Sequence, residues 1–246
     1  NNLFQYSYGR LLAEKNGMLL HHRAIKEMGI RPEQPSINKN FPTLFIDDNN
    51  YKKVLFSSNL QKCNVVISGY FEDYKILKPH LDDIRSWFTH PPVTNTEDLI
   101  LHLRLQNRLI QINHNKNHIS ADAFKRAIGK FDYKRLHIVT DAEKWEPYIM
   151  SDIEYINHLI GGLSELEPTV HCNGKKVIYG SGGLRGGFID DFNLLRSFNQ
   201  VIIHNSTFSW WAATLSGASK VGIFSPWKIA KTQSQRRNLG NTNYPG

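Results

Sequence analysis

Two kinds of apolar run alternate along this chain of 246 residues. In residues 3–29, Leu3, Tyr6, Leu11, Leu12, Met18 and Ile25 recur at helical intervals, and Gly29 is a natural stop, so the spacing predicts a helix there. Residues 74–88 repeat the pattern with Ile76, Leu77, Leu81, Ile84 and Trp87. Between them lie short unbroken apolar runs of strand length: 43–46, just after the Phe41-Pro42 turn signal, and 65–70, ending in Ser68-Gly69-Tyr70. His90-Pro91-Pro92, followed by polar Thr94-Asn95-Thr96, is the sharpest break in the pattern. It predicts a boundary between a domain spanning 1–95 and a second spanning 96–246.

After that break the rhythm is strand, helix, strand. Apolar runs at 99–104, 136–141, 176–179, 200–204 and 220–224 predict five strands. Helical spacing at 153–163, 191–198 and 206–215 predicts the intervening helices, together with one capped by Ser120 and running to Ile128. Strands separated by helices argue for a parallel α/β sheet, in which ligands bind outside the carboxyl ends of the strands. Those ends carry His102 and Arg104, then Thr140 and Asp141, then Asn205, Ser206 and Thr207.

Composition narrows the classes. Hydrophobic residues at 40% and charged residues at 21% describe an ordinary globular chain. No stretch reaches the length of a transmembrane span. No signal peptide is visible, and the opening Asn1-Asn2-Leu3 suggests that a segment precedes it; a cytoplasmic or membrane-peripheral location is expected. The net charge of +8 suits polyanions, from phosphorylated small molecules to an acidic membrane surface. Lys and Arg are dispersed, and no nucleic-acid-binding motif is present, so no nucleic acid partner is expected. Two cysteines, Cys63 and Cys172, read as buried thiols of a reduced compartment. The Asn205-Ser206-Thr207 sequon abuts an apolar strand and a Trp pair and is expected to be buried and unmodified.

Alternation places His102 and Arg104 on one face of their strand. An Arg there fits either a diphosphate, whose oxygens suit its fork of donors, or a structural salt bridge. Ser206-Thr207-Phe208-Ser209-Trp210-Trp211 follows a strand and opens a helix, where free amides and the dipole favour an anion. The alternative is an ordinary cap above two core tryptophans. The glycine-rich stretch 180–187 lacks the lysine of a P-loop, and His114 and His118 sit among asparagines that disfavour a metal-binding helix. No Asp-x-Asp, Gly-x-Ser-x-Gly or His-Glu-x-x-His occurs, which removes the common metal-dependent transferase and hydrolase readings.

Five segments, in order, resemble the α-1,2-fucosyltransferase family. Residues 1–10, Asn-Asn-Leu-Phe-Gln-Tyr-Ser-Tyr-Gly-Arg, resemble its amino-terminal Gly-Asn-Gln-(Leu/Met)-Phe-Gln-Tyr-Ala-x-(Gly/Ala)-Arg. Ser68-Gly69-Tyr70-Phe71-Glu72 is similar to its Gly-Tyr-Phe-Gln segment, and His102-Leu103-Arg104 to its His-x-Arg strand. Residues 139–145 resemble Phe-Ser-Asp-Asp-x-x-Trp, and residues 205–213 resemble Asn-Ser-Ser-Phe-Ser-Trp-Trp-Gly-Ala.

The resemblance implies two Rossmann-like domains facing across a cleft, the GT-B type, with an acceptor-side first domain and a nucleotide-sugar-binding second one. It implies transfer of fucose from GDP-fucose to a glycan hydroxyl, with inversion and without a metal or other cofactor. Partners would be the nucleotide sugar and an oligosaccharide acceptor; the peripheral membrane contact expected above rests on the basic charge alone. His102 and Arg104 would serve guanine and diphosphate, while Ser206, Thr207 and Phe208 would hold the phosphates. Asp191 would read the base, and Asn1 would reach the donor phosphate or the reacting centre. Thr140, Asp141, Asn205 and Ser209 would complete the donor site.

One departure matters. The family follows its His-x-Arg strand with Arg-Gly-Asp, whereas this chain has Leu105-Gln106-Asn107 and then Arg108. Arg108 can replace the missing positive charge, and Asn107, at a catalytic place, cannot act as a base. Another nucleotide sugar, or a non-catalytic nucleotide- or glycan-binding relative, therefore stands as the alternative reading.

Overall fold

The computed structural model describes residues 2–55, 60–89, 92–104, 119–140, 154–172, 187–204 and 206–223, with the side chains of residues 27, 154–157 and 172 excepted. Asn1, Asn107, Arg108, Asp141, Asn205, the stretch 180–186, His114, His118 and the strand expected at 176–179 lie outside the described residues. The chain divides after Thr89 into two compact units.

The first unit opens with α1 (Asn2–Asn16), which buries Phe4, Tyr6, Tyr8, Leu11 and Leu12. The helix is shorter than the apolar spacing predicts. Gly17 adopts φ +60°, its N–H reaches the Glu14 carbonyl at 3.3 Å, and Met18 N–H reaches the Ala13 carbonyl at 2.9 Å. That pair of bonds is a Schellman stop, which a left-handed glycine closes at no steric cost. Met18 and Ile25 thus belong to a following loop, in which Gly29 ends only a short 3₁₀ turn, Lys26–Met28.

Strands β1 (Thr43–Ile46) and β2 (Asn64–Ile67) pair in parallel, Phe45 beside Val66, with α2 (Tyr51–Leu55) between them in sequence. The helix expected over 74–88 is broken into α3 (Tyr74–Leu77), a 3₁₀ turn and α4 (Leu81–Ser86). Pro79 sits in the turn, and its missing N–H and fixed φ interrupt the helical ladder.

The second unit holds five parallel strands among the described residues: β3 (Asn95–Leu103), β4 (Leu136–Thr140), β5 (Thr169–Cys172), β6 (Phe198–Ile203) and β7 (Lys220–Ile223). Their order is β5-β4-β3-β6-β7. The chain steps outward from β3 to β5, then returns to the other side of β3 for β6, so the direction of winding reverses between β3 and β6. This is a doubly wound α/β order, with its crevice outside the carboxyl ends of those two strands.

On one sheet face Leu99, Leu101 and Leu103 join Leu136, Ile138 and Ile202 in a core closed by Phe124 and Ile128 of α5 (Ala121–Ile128) and Leu159, Ile160 and Leu163 of α6 (Glu154–Ser164). Ser120 caps α5, its Oγ accepting the Ala123 N–H at 3.2 Å. The opposite face of β3 carries His102, which meets α8 (Thr207–Thr214); α8 in turn packs on α7 (Gly187–Arg196). No described helix is long and apolar enough to cross a membrane.

Candidate functional site

The reversal point brings together the end of β3 and the turn from β6 into α8. His102 is buried, and its ring lies 5.5 Å from the ring of Phe208 in the first turn of α8. Phe208 in turn meets Phe192 of α7 edge-on at 5.3 Å, which fixes α7, and with it Asp191, beside the site. Arg104 follows two residues after His102 and is half-buried.

The start of α8 is built to be left open. Ser206 occupies the cap position with extended backbone, yet its side chain makes no capping bond. Its Oγ is buried without a hydrogen-bond partner among the described residues, and so is His102 Nδ1. A buried polar atom without a partner loses about 1–3 kcal/mol, so two of them beside uncapped helix amides mark a place where an acceptor-rich ligand fits. A phosphate supplies such acceptors, and the helix dipole favours its charge.

Burial first, and then the electrostatic influence of His204 and Arg104, pushes the His102 imidazole down to about 3. His102 is therefore neutral at physiological pH and serves as a shaped donor or acceptor, not as a cation. Positive charge in this corner comes from Arg104.

Of the other residues expected here, Ser209 is buried, and its Oγ donates to the His204 carbonyl at 3.2 Å and the Ser206 carbonyl at 3.3 Å. It ties the helix turn to the strand. Thr140 is in register with Leu103 and so lies on the sheet face opposite His102, where it is fully buried. Thr207, Phe208 and Asp191 are half-buried. Trp210 and Trp211 are buried, packed edge-to-face at 5.0 Å. The motif thus divides its labour: its first residues face the crevice and its tryptophans form core.

Residues 171–242 match the family model described as Glycosyl transferase family 11. The match covers less than a third of the chain, and over that segment the chain is similar to this family. It takes in α7, β6, α8 and β7, hence Asp191 and residues 206–209, and supports a glycosyltransferase reading. His102 and Arg104 precede the matched family segment and join it through the sheet. No curated protein and no solved structure matches the chain.

A second buried polar group, which the sequence patterning does not reveal, lies near the amino end of the same sheet. Asp98 Oδ2 accepts from Asn95 Nδ2 at 2.8 Å and lies 3.2 Å from both His137 Nε2 and an Arg135 guanidinium nitrogen. His137 Nδ1 lies 3.1 Å from His171 Nε2. Burial opposes ionisation of Asp98, but the bonds from Asn95 and His137 and the Arg135 charge outweigh it and hold the carboxyl below its usual range. Burial first, and His137 second, lower the His171 imidazole.

His102, His171 and Asp98 all bind protons less readily folded than unfolded, so the unfolded chain takes up more protons in acid and stability falls as pH falls. The histidine contribution is complete above the unfolded value of 6.5 and declines below it. For His102 the loss runs at about 1.4 kcal/mol per pH unit down to its folded value. The expected result is a melting temperature that drops steadily from pH 6.5 to pH 4, with a shallower drop in His102→Gln. A flat profile over that interval contradicts the burial of a neutral His102.

Proposed function

We propose that this chain is an inverting fucosyltransferase of the GT-B type that moves fucose from GDP-fucose to a glycan hydroxyl without a metal ion. The observation that carries the reading is the convergence at the β3/β6 reversal point of His102, Arg104 and an uncapped α8 whose Ser206 hydroxyl is buried and unpartnered. The family match over α7 to β7 supports a transferase reading of that crevice.

In this reading the diphosphate lies at the α8 amino terminus against Ser206, Thr207 and Phe208, with Arg104 across from it. Asp191 reads the base, and Arg108, Asp141 and Asn205 complete the donor site. Asn1, from the first unit, serves the donor phosphate or the reacting centre. The bond from fucose C1 to the phosphate oxygen breaks, the acceptor oxygen bonds C1 from the opposite face, and the hydroxyl proton leaves to base or water. The departing diphosphate is stabilised by fixed donors, which act without reorganisation at the moment of reaction.

Two expectations follow. Turnover in excess chelator is expected to equal turnover in its absence, because Arg104 and helix amides neutralise the leaving group. Activity that collapses in chelator and returns with manganese overturns that mechanism. Asn107 is proposed to keep hydrogen bonds that a carboxylate makes in the family, so Asn107→Asp is expected not to raise kcat with GDP-fucose. A large rise instead marks the native chain as a weakened catalyst.

Incubation with GDP-fucose and a panel of galactose-terminated oligosaccharides, read by mass and by the anomeric configuration of the product, tests the reaction itself. The Leu105-Gln106-Asn107 segment favours one competing reading, a relative that binds nucleotide without turnover. GDP binding with no product on any acceptor or donor identifies that case.

A further inference from the structure

We propose that Tyr70 is the stacking platform of a carbohydrate subsite on the first unit, taking a neutral pyranose ring of the acceptor; the assignment rests on the glycosyltransferase reading above.

Strands β1 and β2 are parallel, and their carboxyl ends run into Asp47-Asp48 and into Ser68-Gly69-Tyr70-Phe71. Parallel strands of α/β units open to ligands at that end. There Tyr70 is 60% exposed, while its neighbour Phe71 is 2% exposed. The backbone between them is forced. Phe71 adopts φ +52°, a left-handed conformation that is unfavourable for a bulky residue by about 1–3 kcal/mol.

Three anchors hold the turn in that shape. Both Asp48 carboxylate oxygens accept the Tyr70 N–H at 3.0 Å, and Oδ1 accepts the Phe71 N–H at 2.8 Å. Gln5 of α1 donates to the Gly69 carbonyl at 2.7 Å. The Phe71 ring lies flat on Tyr8 of α1, with centroids 4.7 Å apart and planes 6° apart. A Cβ on Gly69 would stand 3.0 Å from the Asp48 carboxyl carbon and 3.1 Å from its backbone nitrogen, so glycine is what lets Asp48 close in. Strain that is held this firmly is a feature of functional sites. Its effect here is to bury one ring and hold the next one out on a rigid support, with little entropy left to lose on binding.

The rim selects the ligand. Asp48, Asn49 and Ser68 are exposed around the turn and offer carboxylate, amide and hydroxyl groups. A pyranose has one C–H face to lay on an aromatic ring and hydroxyls that donate to carboxylates. The adjacent Asp47 and Asp48 charges repel phosphate, which disfavours a nucleotide at the same ring.

The test uses the full chain, with lactose, N-acetyllactosamine, methyl β-galactoside and methyl β-glucoside as probes in ligand-detected NMR, and GDP-induced thermal stabilisation in parallel. Wild type is expected to bind at least one probe, Tyr70→Phe to bind it within about twofold, and Tyr70→Ala to bind it at least tenfold more weakly. GDP stabilisation is expected to be equal in all three, showing that each folds. Undiminished probe binding by Tyr70→Ala overturns the platform, and so does a wild-type chain that binds GDP but none of the probes. Tyr70-dependent sugar binding without GDP binding leaves the platform standing and removes the donor reading instead.

Discussion

Arg104→Ala is expected to weaken GDP binding by about 2–5 kcal/mol, the range for truncating one partner of a desolvated charge pair. Arg104 follows buried His102 at the carboxyl end of β3, and its charge is felt at His102, where it helps to keep the imidazole neutral. Arg104→Lys is expected to recover little, because a point charge replaces a planar fork that matches two phosphate oxygens. Calorimetric titration with GDP measures both variants. Wild-type affinity in Arg104→Ala shows that the side chain serves the fold and not the ligand.

Trp211→Ala is expected to lower the unfolding free energy by about 3–5 kcal/mol, the usual range for an aromatic-to-alanine change in a core. Trp211 is 2% exposed and packs edge-to-face on Trp210. Trp211→Phe keeps most of the buried volume, and a loss below about 3 kcal/mol is expected. Urea unfolding checks both. A loss under about 1 kcal/mol in the alanine variant contradicts the division of this motif into crevice-facing and core halves.

The strands of the second unit are legible because strands covered on both faces read as unbroken apolar runs, as 99–101 and 201–203 do. β5 is not: Thr169-Val170-His171-Cys172 has one aliphatic side chain, and its partner in the sheet, β4, defines it more than its own composition does. Helical spacing at Met18 and Ile25 overextends the first helix past the stop at Asn16-Gly17, where Gly17 takes a left-handed φ. Residues 206–208, His102 and Arg104 are legible as strand-end groups, since the apolar runs that mark the strands also mark where they end. Thr140 shows the limit of that rule, because a residue can stand at a strand end and still be buried on the wrong face. Asp48 and Asp98 left no trace in the pattern: their partners lie 22–23 and up to 39 residues away, and only folding brings them together.

The central claim is that the crevice at the β3/β6 reversal point holds a nucleoside diphosphate. Thermal unfolding of the whole chain with GDP, UDP and inorganic phosphate tests it most directly. The account predicts that GDP stabilises the fold by about 2.7 kcal/mol when present at a hundred times its dissociation constant, and that Arg104→Ala cuts this to below about 1 kcal/mol at the same concentration. No stabilisation by any nucleoside diphosphate, at concentrations up to the millimolar range, would contradict it.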